Sequence, residues 1–186
     1  PLEVDPDEKF EIVFVGYLKP IKNVPNLIRA FSIFNKSNPN THLTIVGDGP
    51  LREKLEQLVV DQEIANKVTF EGSVEHRDAL RHMASGDVVV LPSQSEGDPR
   101  VVREAMQIGV PLLVTPVGTV PELLEDGVAL FIDQSVESIL ESLNRIYCDN
   151  ELYVNLSINS RREIEQIDWD QLRERVKQGY KVSMNM

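Results

Sequence analysis

Glu96 and Glu104 are separated by seven residues in the stretch Ser93 to Pro111, which reads SQSEGDPRVVREAMQIGVP. A carboxylate accepts hydrogen bonds from two neighbouring hydroxyls at once, so a spaced pair of this kind suits a sugar. Between them Asp98 is a good N-cap, and Pro99 suits a first helical position, where its missing N–H leaves nothing unpaired. The free N–H groups at such a helix start would face an anion. The same two carboxylates can also be read as solvated surface charges, and only their place in the chain separates the two readings.

That place is set by the elements around them. Asp87–Leu91 and Leu112–Thr115 are short, β-branched, apolar runs, each of which predicts a strand buried on both faces. Gly109 can stop the intervening helix in a left-handed conformation, and Pro111 prevents its resumption. The unit is strand, polar loop, helix, strand. In a parallel sheet ligands bind at the carboxyl ends of the strands, where loops meet helix starts, and the loop at 93–98 occupies that place.

The rest of the chain alternates in the same way. Strands are predicted at 11–16, 42–46, 67–70 and 130–132, and helices at 26–35, 51–60, 76–85, 135–147, 151–164 and from 168 onward. The fold class is α/β, a doubly wound Rossmann-like sheet of about six parallel strands flanked by helices. The GDGP at 47–50 is not a dinucleotide fingerprint, because Arg52 takes the place of the third glycine, and it reads as a tight turn.

Composition bounds the function. The 186 residues suit one domain, and the 41% hydrophobic and 26% charged content is ordinary for a soluble protein. A net charge of −11 argues against nucleic acid as a partner but not against a small anionic ligand. No run is apolar for long enough to span a membrane, and the single Cys148 excludes an internal disulfide. His42, His76 and His82 fall at spacings that make no metal set, so their expected roles are surface or packing.

At SEGDPRVVREAMQIGVP the chain resembles the retaining glycosyltransferases of family 4, whose GT-B architecture joins two Rossmann-like domains. Their E-x7-E motif falls on Glu96 and Glu104. The resemblance implies that Glu96 approaches the donor sugar and that Glu104 holds the nucleotide ribose. It also implies that Gly16 and Lys22 belong to a loop gripping the donor diphosphate, where the family's Arg is replaced by Tyr17 and the Gly after the Lys by Asn23. Gly47 falls in the family's G-x-G-x motif, and the backbone near Val74 is expected to cradle the base. Gly97, Asp98, Pro99 and Arg100 complete the expected donor site. Gly118-Thr119-Val120-Pro121-Glu122 matches G-G-x-P-E with Thr119 for the second Gly, and Trp169 and Tyr180 resemble the family's C-terminal helix.

The activity that this resemblance implies is transfer of a sugar from a nucleotide diphosphate sugar, with Glu96 and Lys22 carrying the catalysis and with no metal or other cofactor. Residues 1–9 are expected to be a linker from an N-terminal acceptor domain of the same protein, and residues 10–186 the nucleotide-sugar-binding domain. The isolated chain is expected to bind donor without transferring it. A cytoplasmic location, or a peripheral one at the membrane in the full-length protein, fits the composition. Two other readings stay open: a non-catalytic nucleotide-sugar-binding module, and a 2-epimerase-like isomerase.

Overall fold

A computed structural model describes residues 9–97, 100–124 and 127–166. Six strands form one sheet: β1 (Phe10–Val15), β2 (Thr41–Val46), β3 (Val68–Gly72), β4 (Val88–Leu91), β5 (Leu112–Val114) and β6 (Leu130–Phe131). Every pairing is parallel and the order is β3-β2-β1-β4-β5-β6. Ile12, Val13 and Phe14 of β1 and all of β4 are buried, as continuous apolar strands must be when helices cover both faces of a parallel sheet.

The helices follow from the apolar spacing. In α1 (Val24–Ser37) the buried residues Val24, Leu27, Ile28, Phe31 and Phe34 recur three or four apart and form one stripe. That stripe packs on α6 (Val136–Cys148), where Tyr147 meets Phe34 and Phe10 edge-on at ring separations of 5.4 and 5.2 Å. α2 (Arg52–Asp61) lies beside α1, whereas α4 (Arg100–Ile108) contacts α3 (His76–Ala84) and α7 (Asn150–Gln166). A single-turn helix, α5 (Val120–Leu123), follows β5. The chain passes from β1 to β2 in one direction along the sheet and from β4 to β5 in the other, and the right-handed rule for crossovers between parallel strands then assigns α1 and α4 to opposite faces.

Many boundaries move by one or two residues, and three of these shifts have a clear physical reason. α1 begins at Val24 rather than 26, because Asn23 takes a left-handed conformation (φ 53°) and Pro25 fits the first turn. β3 extends to Gly72 because the ladder shifts between Ile45 and Val46, pairing Val46 with Gly72. β1 ends at Val15, so Gly16 belongs to the following loop. Gly109 (φ 80°) closes α4 as expected, donating its N–H to Ala105. The predicted cap at Asp98 and Pro99, residues 1–8 of the linker and the helix from 168 lie outside the described residues.

Candidate functional site

The order of strands creates the site. β1 and β4 are neighbours, yet the chain leaves β1 toward β2 and leaves β4 toward β5, so a crevice opens between their carboxyl ends. The loop after β1, from Gly16 to Asn23, forms one wall. The loop after β4, from Pro92 to Gly97, forms the other. The two are tied by backbone, Gln94 N–H donating to Ile21 O at 2.7 Å.

Across this crevice Lys22 Nζ lies 2.6 Å from Glu96 Oε1, with the side chains 18% and 10% exposed. Lys22 is the last residue of a single 3-10 turn, Pro20–Lys22, whose entry is pinned by the buried Leu18. Glu96 is braced from behind. Gly118 sits at φ 60°, and a Cβ there would fall 1.7 Å from Glu96 O, so that loop approaches Glu96 as only glycine can. Beside it Thr119 Oγ1 donates to Gly97 O at 3.2 Å.

The GDGP turn braces the opposite wall. A Cβ on Gly47 (φ 132°) would fall 1.9 Å from Gly16 O, and Gly47 N–H donates to Gly72 O at 2.8 Å. Leu18 N–H donates to Asp48 O at 2.8 Å, and Leu51 N–H to Leu18 O at 3.0 Å. Gly47 thus carries a packing role, holding the loops after β1, β2 and β3 together, and this fixes where Lys22 can stand. Tyr17 at the rim is 59% exposed. Val74 is half-buried against the core just after β3, and Arg100 is exposed at the start of the described part of α4.

Glu104 lies in the second turn of α4 and is 20% exposed; its Oε1 is 2.9 Å from Nε2 of His76, the first residue of α3. The site therefore presents one paired cation and two carboxylates along the carboxyl edge of the sheet. Among the described residues no three His, Cys, Asp or Glu side chains cluster as a metal site, and no helix is long and apolar enough to cross a membrane.

The sequence profile of the glycosyl transferases group 1 matches residues 3–163. The chain belongs to this family. A glycosyltransferase of Methanocaldococcus jannaschii is 33% identical over 98% of the chain and 47% of its own length. The sulfoquinovosyl transferase SQD2 of Arabidopsis thaliana is 30% identical over 87% of the chain and 31% of its own length. The chain spans about half the length, or less, of these curated relatives. In fold it is similar to the C-terminal domain of a group 1 family protein from Francisella tularensis, with a TM-score of 0.77 at 21% identity, covering 85% of both chains. It is also similar to Anabaena HepE, a structure in complex with UDP and glucose, with a TM-score of 0.78 at 21% identity over 94% of this chain and 49% of that one. The expected fold, the C-terminal half of a GT-B transferase, is the one found.

Of the expected site residues in this group 1 domain, the structure joins Lys22 directly to Glu96 and places Gly16, Tyr17 and Gly97 in the same two walls. Glu104 stands apart, paired with α3. Asp98 and Pro99 lie outside the described residues. Two features escaped the sequence. His76, assigned to surface or packing, meets Glu104, and only the adjacency of α3 and α4 could have shown it. Thr119, noted as a departure from a glycine, supplies a hydroxyl to the loop that carries Glu96.

Proposed function

We propose that this chain is the donor-binding half of a retaining glycosyltransferase that moves a sugar from a nucleotide diphosphate sugar to an acceptor hydroxyl. The observation that carries the reading is the Lys22–Glu96 pair at the crevice between β1 and β4. It sets a cation for phosphate beside a carboxylate for sugar hydroxyls. When the bond between the anomeric carbon and the phosphate oxygen breaks, the electron pair goes to the diphosphate. Lys22, held in the crevice before the ligand arrives, meets that charge as an electrostatic contribution. In this reading neither a metal nor another cofactor takes part.

Glu96 accepts from the sugar, Glu104 from the ribose, and the backbone near Val74 holds the base. Gly16, Gly47 and Gly97 keep the walls close to the ligand, and Arg100 adds a cation to the anion site. The acceptor site belongs to an N-terminal domain of the same protein, in keeping with the share of its relatives that the chain spans. A thermal-shift panel of UDP-, GDP-, ADP- and dTDP-sugars tests this, because a bound ligand raises apparent stability by mass action. A shift with one of them that is lost in Lys22→Ala is expected; no shift with any contradicts the reading.

One observation favours a second reading, a nucleotide-sugar-binding module without transfer. Tyr17 offers a single neutral donor where the family has a permanently charged fork, and it is exposed at the rim. Turnover of a nucleotide sugar by the whole protein separates the two.

A further inference from the structure

Glu104 comes to the ligand with one of its acceptor sites already in use. Its Oε1 accepts a hydrogen bond from His76 Nε2 at 2.9 Å, across the contact between α4 and α3. The pair does little for the fold, because the His76 side chain is 70% exposed and exposed pairs contribute little to stability. The carboxylate is in a different situation. It is 20% exposed and projects from a helix that is fixed between α3 and α7.

A carboxylate has about four acceptor sites, so one bond to His76 leaves enough for two hydroxyls of a diol. A glutamate side chain is long and rotamer-rich, and ordering such a side chain on binding costs about 0.5–1.5 kcal/mol. A partner that orders it beforehand removes that cost. His76 is well placed for this, since it is the first residue of α3 and comes two residues after Val74, at the exit from β3. The imidazole can donate from Nε2 when neutral, in the tautomer with its proton there, as well as when charged.

We propose that His76 is a positioning residue for Glu104, holding its carboxylate in the orientation that accepts the two ribose hydroxyls of the nucleotide. This rests on the reading of Glu104 as the ribose ligand. It makes the start of α3 part of the nucleotide site, and it places selection for a ribose diol on a pair of residues from two helices.

The test is calorimetry on the 186-residue chain with UDP, GDP and ADP, followed by the 2′,3′-dideoxy counterpart of whichever binds tightest. His76→Ala should weaken binding about two- to tenfold. His76→Gln, which keeps a donor at similar reach, should restore most of the loss. The dideoxy ligand should bind His76→Ala and the unsubstituted chain alike. In a Glu104→Ala background, His76→Ala should cost nothing further, which a merely structural role would not produce. Unchanged affinity in His76→Ala, with Glu104→Ala weakened, overturns the inference and leaves the ribose reading standing. Tighter binding in His76→Ala makes His76 a competitor of the ribose, which also overturns it. If neither Glu104→Ala nor Glu104→Gln alters affinity, or if none of the three nucleotides binds, the ribose reading falls and the inference with it.

Discussion

Glu96→Gln separates the two tasks that the Lys22–Glu96 pair sets side by side. The substitution keeps the shape and one acceptor oxygen but removes the charge. In the free chain the pair is 2.6 Å long and largely shielded, at 18% and 10% exposure, so solvent screens it little. A hydrogen bond to a charged group contributes about 1.5–3 kcal/mol, roughly twice a neutral one. A neutral partner therefore holds Lys22 more weakly by about 1 kcal/mol, leaving the ammonium freer to meet a phosphate oxygen. Free nucleoside diphosphate should bind about fivefold more tightly to Glu96→Gln. The sugar works in the opposite sense. It keeps an acceptor but loses the charge, about 1 kcal/mol for each hydroxyl that Glu96 accepts from, or roughly fivefold for one and thirtyfold for two. The advantage of nucleotide sugar over nucleoside diphosphate, measured by calorimetry at low salt, should shrink by that factor or reverse. An equal loss for both ligands would refute the reasoning, because it would mean that Glu96 acts only by holding Lys22 in place.

Tyr17→Arg should tighten nucleoside diphosphate binding by about 1–2 kcal/mol at low salt, a gain that shrinks as salt rises; unchanged low-salt affinity would mean either that Lys19 already fills the role or that this loop does not face the diphosphate. Gly118→Ala should destabilise the chain by about 1–3 kcal/mol in urea titrations and abolish the sugar-dependent part of binding, since its Cβ would meet the backbone behind Glu96; retained sugar preference would show that the brace is dispensable. His42, whose Nε2 is 2.8 Å from Thr69 Oγ1, is held below its ordinary value of 6.5 mainly by burial, with Lys9 and Lys67 adding to the effect and Glu11 opposing it. The folded chain then binds fewer protons than the unfolded one as pH falls through about 6.5, so stability should drop there, and His42→Gln should flatten the drop in urea midpoints between about pH 7.5 and 5.5. The isolated chain should bind nucleotide sugar yet give no transfer to any acceptor; measurable transfer, as distinct from slow donor hydrolysis, would contradict the need for a second domain.

β4 and β5 were the most legible strands, because each is a short apolar run between turn residues and is buried along its whole length. The order of the strands was not legible, since each helix-bearing crossover is long enough to pass to either side of the sheet. That order is what brings Lys22 within 2.6 Å of a residue 74 positions away, so the resemblance could name both residues but not join them. What the GDGP turn supports, the loop after β1, shows only in the close approach of Gly47 to Gly16. Local departures were the least legible. Asn23, noted only as a missing glycine, takes the left-handed conformation itself and ties α1 to the loop before α6 through Gln134 O at 2.8 Å. Polar side chains in loops declare their partners only in three dimensions.

The most direct measurement is a crystal structure of the chain with the nucleotide sugar that most raises its melting temperature. The ligand should lie in the crevice between β1 and β4, with diphosphate oxygens within about 3 Å of Lys22 Nζ and sugar hydroxyls on Glu96 at ordinary hydrogen-bond distances. A ligand bound elsewhere, or one in the crevice with its sugar turned away from an intact Lys22–Glu96 pair, would contradict the proposed function.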